Sequence, residues 1–180
     1  MTVANAIGSG QTLGTGSSPT FVGLTLSGTV TNSGQPMFSA RYTSNVTNVT
    51  GNAVVYTPIF DTADINVGTC YNTSTGVFTA PNTANYLFSG CIYLNSLGAA
   101  NTVFTIKFIT TPRNFIVFSC NAANTRDANN NIAIPYISPI IPLSSTNTVS
   151  LNIEVDGGTQ IVGIKGTAPQ ISYFSGILLG

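Results

Sequence analysis

The chain has 180 residues, of which 43% are hydrophobic and only 6% charged; five basic and five acidic side chains leave a formal net charge of zero, and there is no histidine. The apolar fraction is enough for a core, which excludes a disordered linker, and the lack of a concentrated basic surface excludes nucleic-acid binding and a polybasic membrane anchor. No apolar run approaches the roughly 20 residues that cross a bilayer, and no positive region followed by an apolar core opens the chain, so neither membrane insertion nor a signal peptide is expected.

Residues 1–33 are rich in Gly, Ser and Thr, with thin apolar content at Phe21, Val22, Leu24, Leu26 and Val30. Alone they cannot bury enough surface to offset chain entropy. Leu24 and Leu26 alternate with Thr25 and Ser27, as in a strand with one covered face. The segment is therefore expected to be an extended stem, with a flexible linker as the alternative, and residues 34–180 a separate head. In the head, Phe38, Ala40 and Tyr42 share one face of a first strand. Thr43 to Asn52 reads as a polar loop, and Val54 to Phe60 as a short edge strand interrupted by Pro58. Asn72 to Gly76 has turn composition, Val77 to Ala80 is a short strand stopped by Pro81, and Ala84 to Leu94 a long one. Along it Tyr86, Phe88, Ile92 and Leu94 fall on one face and Asn85, Ser89 and Asn95 on the other.

Further on, Phe104, Ile106 and Phe108 align in the strand from Thr102 to Ile109, and Phe115 to Ser119 follows after a turn at Thr111–Asn114. Cys120 to Asn131 is wholly polar and reads as a loop. Ile132 to Leu143 carries Pro135, Pro139 and Pro142 and reads as an irregular strand. Val149, Leu151, Ile153 and Val155 alternate cleanly with Ser150, Asn152 and Glu154, Asp156-Gly157-Gly158 turns the chain, and Ile171 to Leu179 closes the sheet. No segment keeps helical periodicity over ten residues. The expected fold is all-β, about ten short strands in a sandwich or barrel.

Several of these motifs carry a resemblance. Asn66-Val67-Gly68, Tyr71, Gly76-Val77-Phe78-Thr79-Ala80-Pro81 and Tyr86-Leu87-Phe88-Ser89, with Gln35 to Ala40 at the start and Phe174-Ser175-Gly176-Ile177-Leu178-Leu179 at the end, resemble the C1q-like globular head, a relative of tumour necrosis factor. The resemblance covers roughly Gln35 to Gly180. It implies an antiparallel two-sheet jelly roll that assembles as a homotrimer, with Tyr71, Gly76, Phe78, Pro81, Tyr86, Phe88, Phe174 and Gly176 as its structural signature. Gly14 to Thr29 looks like stalk repeats of phage tail fibres and other viral appendages. Independently, Tyr93 shares the other face of the long strand with Leu87 and Cys91, which suggests that a neighbouring subunit covers it.

Chemistry is limited by composition. Without histidine, Ser-His and Cys-His catalysis and most zinc sites are excluded. Lys107 and Lys165, the only lysines, stand in no Ser-x-x-Lys arrangement. Of the five carboxylates, Asp61, Asp64, Asp127, Glu154 and Asp156, only Asp61 and Asp64 are close enough in sequence to be weighed as an acid/base pair, and turn capping by Asp61 is favoured over catalysis. No cofactor is expected. Calcium at Asp61, Asp64 and Asp156 is weighed because some members of the resembled family hold it, but isolated turn aspartates are favoured. Cys70, Cys91 and Cys120 lack metal spacing, and Cys91 reads as a buried, inert thiol. Three glycosylation acceptors, at Asn45, Asn48 and Asn72, arise readily in a chain so rich in Asn and Thr.

The expectation is a non-enzymatic attachment tip on the virion surface or another extracellular appendage, a self-trimer that binds a cell-surface glycan or protein receptor. The alternatives are a purely structural trimerisation cap and a bacterial or spore-surface filament tip. Alternating strand directions put the loops Cys120–Asn131 and 156–170 at the end opposite Gln35. In the first, Asn124, Arg126, Asp127 and Asn129 offer groups that pair with sugar hydroxyls, or form a loop that binds nothing.

Overall fold

The computed structural model describes residues 34–169 and 171–179. The chain divides into two units, Met1–Asn32 and Ser33–Gly180; the stem expected at residues 1–33 lies outside the described residues, and the second unit is described here by itself. Its elements are β1 (Met37–Arg41), β2 (Val46–Thr50), β3 (Val54–Tyr56), β4 (Thr62–Val67), β5 (Tyr71–Asn72), β6 (Val77–Thr79), β7 (Ala84–Asn95), β8 (Phe104–Thr110), β9 (Phe115–Cys120), a one-turn helix α1 (Ala122–Thr125), β10 (Ile132–Ile137), β11 (Ile141–Leu143), β12 (Thr148–Val155), β13 (Val162–Ile164) and β14 (Tyr173–Leu179).

They form two antiparallel sheets. The first runs β2-β13-β7-β14-β1-β4, with β10 and β11 in succession along the other side of β7. The second runs β5-β6-β12-β8-β9, with β3 also on β12. Apolar side chains at every second position of β7, β8 and β12 face one another between the sheets, and each such position is buried. An aromatic cluster fills the centre. Phe38 stacks on Tyr71 with centroids 4.7 Å apart and meets Phe174 edge-on at 4.9 Å, while Phe78 meets Phe88 edge-on at 5.0 Å. Gly176 lets the rings close: a Cβ there would stand 2.5 Å from Phe38 Cε1 and 2.6 Å from Phe88 Cδ1.

Register sets the two ends of the head. Met37 pairs with Ile177 on β14, and Asn85 with Leu179, so β1 and β7 start and β14 finishes at one end, called proximal. Ile132 pairs with Leu94, so β10 starts at the opposite, distal end. In the second sheet Val155 pairs with Phe104, and Phe104 with Cys120, which brings the end of β12, the start of β8 and the end of β9 to the distal end as well.

The structure corrects the expected strand inventory, with fourteen strands among the described residues instead of about ten. β2 lies within the expected Thr43–Asn52 loop, β4 within 61–69 and β13 within 156–170. None has a clean period of two. Both faces of the edge strand β4 are partly exposed, and all three residues of β13 are buried. Cys120–Asn131 is not purely loop: Asn121 caps the α1 turn by accepting from the Asn124 backbone N–H at 3.1 Å. The prolines sit as edge chemistry predicts, Pro135 and Pro142 on β10 and β11, which among the described residues pair with β7 alone.

Candidate functional site

The three aspartates weighed for calcium do not converge. The Asp61 carboxylate accepts from the Thr43 backbone N–H at 3.0 Å and from its hydroxyl at 2.9 Å. Asp64 pairs with Arg41 Nε at 2.9 Å. Asp156 follows β12 in the other sheet, and its backbone is paired with Thr102 and Val103 at the distal end. Residues close in sequence at 61 and 64 thus serve separate local contacts, and among the described residues no group of three His, Cys, Asp or Glu side chains could hold a metal ion. Glu154 is engaged by Lys107 Nζ at 2.8 Å on the outer face of the second sheet. The thiols are single. Cys70 is the fully buried one, where burial pushes it up to about 11; Cys91 is only half-buried, on the outer face of β7, and burial raises it too. The Tyr42, Tyr71 and Tyr136 hydroxyls are likewise pushed up by burial, and that of Tyr71 accepts the Phe60 backbone N–H at 3.3 Å.

At the distal end, four connections meet: 51–53, 96–103, 121–131 and 156–161. Thr102 N–H donates to Asp156 O at 2.9 Å, Asp156 N–H to Val103 O at 2.7 Å, Ala123 N–H to Asn101 O at 2.9 Å, Asn52 N–H to Gly157 O at 2.9 Å and Leu97 N–H to Asn130 O at 3.0 Å. These bonds weld the loops into one surface. The candidate ligand residues share it but are partly occupied within their own loop. Arg126 donates from Nε to Asn130 Oδ1 at 2.9 Å and from Nη1 to Ala123 O. Asp127 accepts the backbone N–H groups of Asn129 and Asn131, each at 2.8 Å. The bond from Asn131 N–H, then that from Asn129, holds this carboxyl below its ordinary value. Asn124 and Asn129 are exposed, and among the described residues only their backbone N–H groups, not their side chains, are hydrogen-bonded.

Sequence reasoning missed two features. Asn101, at 2% exposure, lies under the distal loops and serves three of them. The other is an open apolar groove of about 230 Å³ on the outer face of the first sheet, lined by Met37, Ile65, Leu87 and Ile177 with Ser89 and Ser175 between. Ile65 and Ile177 are 46% and 38% exposed there. The apolar outer face of β7 was read from Leu87, Cys91 and Tyr93, but the groove itself needs Met37, Ile65 and Ile177 from other strands beside Leu87.

Two antiparallel sheets wound this way, with the first and last strands paired at the centre of one sheet, define a jelly-roll head of the tumour-necrosis-factor type. More narrowly, the chain belongs to the C1q domain family, whose model matches residues 37–179. The head is similar to the globular domain of zebrafish complement 1qA protein, at 17% identity and a TM-score of 0.52 over 81% of this chain and 98% of that one. It is also similar to Eiger TNF from S. frugiperda, at 12% identity and 0.53 over 81% and 93% of the two chains. Murine APRIL superposes at 9% identity and 0.50 over 81% and 99%. At these identities the likeness is one of fold. No curated protein sequence matches the chain.

Proposed function

We propose that the chain is a non-enzymatic, trimeric attachment head: the tip of a viral tail fibre or similar extracellular appendage, which presents its distal loops to a cell-surface glycan or protein. The observation that carries the reading is the uncharged apolar groove of Met37, Ile65, Leu87 and Ile177 on the face opposite the core. Its half-exposed isoleucines are apolar surface that a second copy of the chain would cover, and heads of the C1q and tumour-necrosis-factor type are trimeric binding modules. Three copies raise weak contacts to useful avidity through effective concentration. The resemblance of Gly14 to Thr29 to tail-fibre stalks supports the appendage. That the Arg126 and Asp127 side chains bond within their own loop favours the second reading, a structural cap that registers a fibre and binds nothing.

Light scattering after size exclusion tests the assembly. The expected mass is that of three 18.6 kDa chains, and Leu87→Arg, which puts a charge in the groove, is expected to break it up. A stable monomer at micromolar concentration overturns the reading. A glycan array and whole-cell binding test the surface: Asn124→Ala with Arg126→Ala is expected to lose signal at unchanged melting temperature. An assembled parent that is silent in both assays leaves the cap reading.

A further inference from the structure

We propose that Asn101 is the positioning residue of the distal surface, locking three separate loops into one preorganised unit. Its side chain works in both directions. Oδ1 accepts the Gly98 N–H at 2.6 Å, which closes its own loop, and Nδ2 donates to Gly157 O at 2.9 Å, which reaches the loop after β12. Its backbone carbonyl accepts Ala123 N–H at the start of α1, which reaches the third loop. The Gly157 carbonyl is shared with Asn52 N–H, so the 51–53 turn is tied to the same point.

The opposite wall is shaped to this amide. Gly157 and Gly158 have φ of +70° and +67°, and a Cβ on Gly158 would stand 2.7 Å from Asn101 Nδ2. A Cβ on Gly157 would strike Ala100 O. A carboxamide this buried must have its polar atoms paired. Both side-chain bonds go to backbone groups, so deleting the side chain leaves the Gly98 N–H without this acceptor and the Gly157 carbonyl with Asn52 N–H alone. Leucine is the wrong chemistry here, and glutamine is one methylene too long to keep both bonds. The surface that would meet a ligand is thereby held in shape before binding, which reduces the ordering cost of association.

The inference builds on the reading of the distal end as the presented surface, but its main test needs no ligand. Backbone hydrogen exchange is followed in the full chain and in Asn101→Ala. The amides of Asn52, Gly98, Thr102, Ala123 and Asp156 are expected to exchange together about tenfold faster or more, while those of β7 and β12 keep their protection. Gly158→Ala approaches the same amide from another loop and is expected to speed the same five. It also serves where Asn101→Ala does not fold. Faster exchange confined to the substituted loop, or spread through both sheets, overturns the proposal. On the glycan array, any signal of the parent is expected to fall at least tenfold in Asn101→Ala at unchanged trimer mass, and an unchanged signal overturns the positioning role. A parent silent on the array counts against the binding reading alone, and the exchange result then decides for Asn101.

Discussion

Truncating Phe78 to alanine tests the central packing argument. Phe78 is 1% exposed, and its ring centroid lies 5.5 Å from that of Phe38, 5.3 Å from Tyr86 and 5.0 Å from Phe88. It stands on β6 opposite Tyr71 and Val149 of the flanking strands, so backbone hydrogen bonds hold the position on both sides and limit collapse into the void. A buried phenylalanine replaced by alanine costs about 3–5 kcal/mol, transfer and cavity combined, and the ring–ring geometry argues for the upper half of that range. For a unit the size of Ser33–Gly180, each kcal/mol lowers the melting temperature by about 2–4 °C, so a fall of roughly 10 °C is expected. Circular dichroism melts at one fixed protomer concentration measure it, because any self-association makes a midpoint concentration-dependent. Ser89→Ala is the control. Ser89 lies half-exposed on the outer face of β7, a core strand of the other sheet, and its change is expected to stay within about 0.5 kcal/mol. Equal losses in the two variants would mean that the faces of β6 and β7 have been assigned the wrong way round.

Gly176→Ala drives a methyl between Phe38 and Phe88 at 2.5–2.6 Å; overpacking of this kind costs about 1–3 kcal/mol, and denaturant melts with an unchanged slope would register it. The Asp127 carboxyl is held below its ordinary value of 3.8 by backbone N–H groups. Its contribution is therefore complete above that ordinary value and is lost as pH falls through the lower folded one. Amide resonances of Asn129 and Asn131 are expected to hold their positions at pH 5 and move only below the ordinary carboxylate range, and movement already at pH 5 would contradict the bonding described.

The long strands were legible because each buries one face. Tyr86, Phe88, Ile92 and Leu94, and then Val149, Leu151, Ile153 and Val155, alternate with polar or half-exposed neighbours, and the pleat turns that alternation directly into a core. Strands without a one-sided environment left no such trace. β4 is an edge with partly wet faces, and β13 is three residues buried all round, so only their partners on β1, β7 and β2 make them strands. The polar loop at 120–131 and its distal position followed from counting strand directions, and the register agrees. What meets what at that end did not follow. Asp61 and Asp64 are near neighbours in sequence yet bond to Thr43 and Arg41 separately. Asn101 and Gly157, 56 positions apart, share a hydrogen bond. Local alternation records which side of a strand meets apolar surface, and it is written residue by residue. The partner of a buried carboxamide is chosen only when antiparallel pairing brings the ends of several strands together, and no single stretch of chain contains that information.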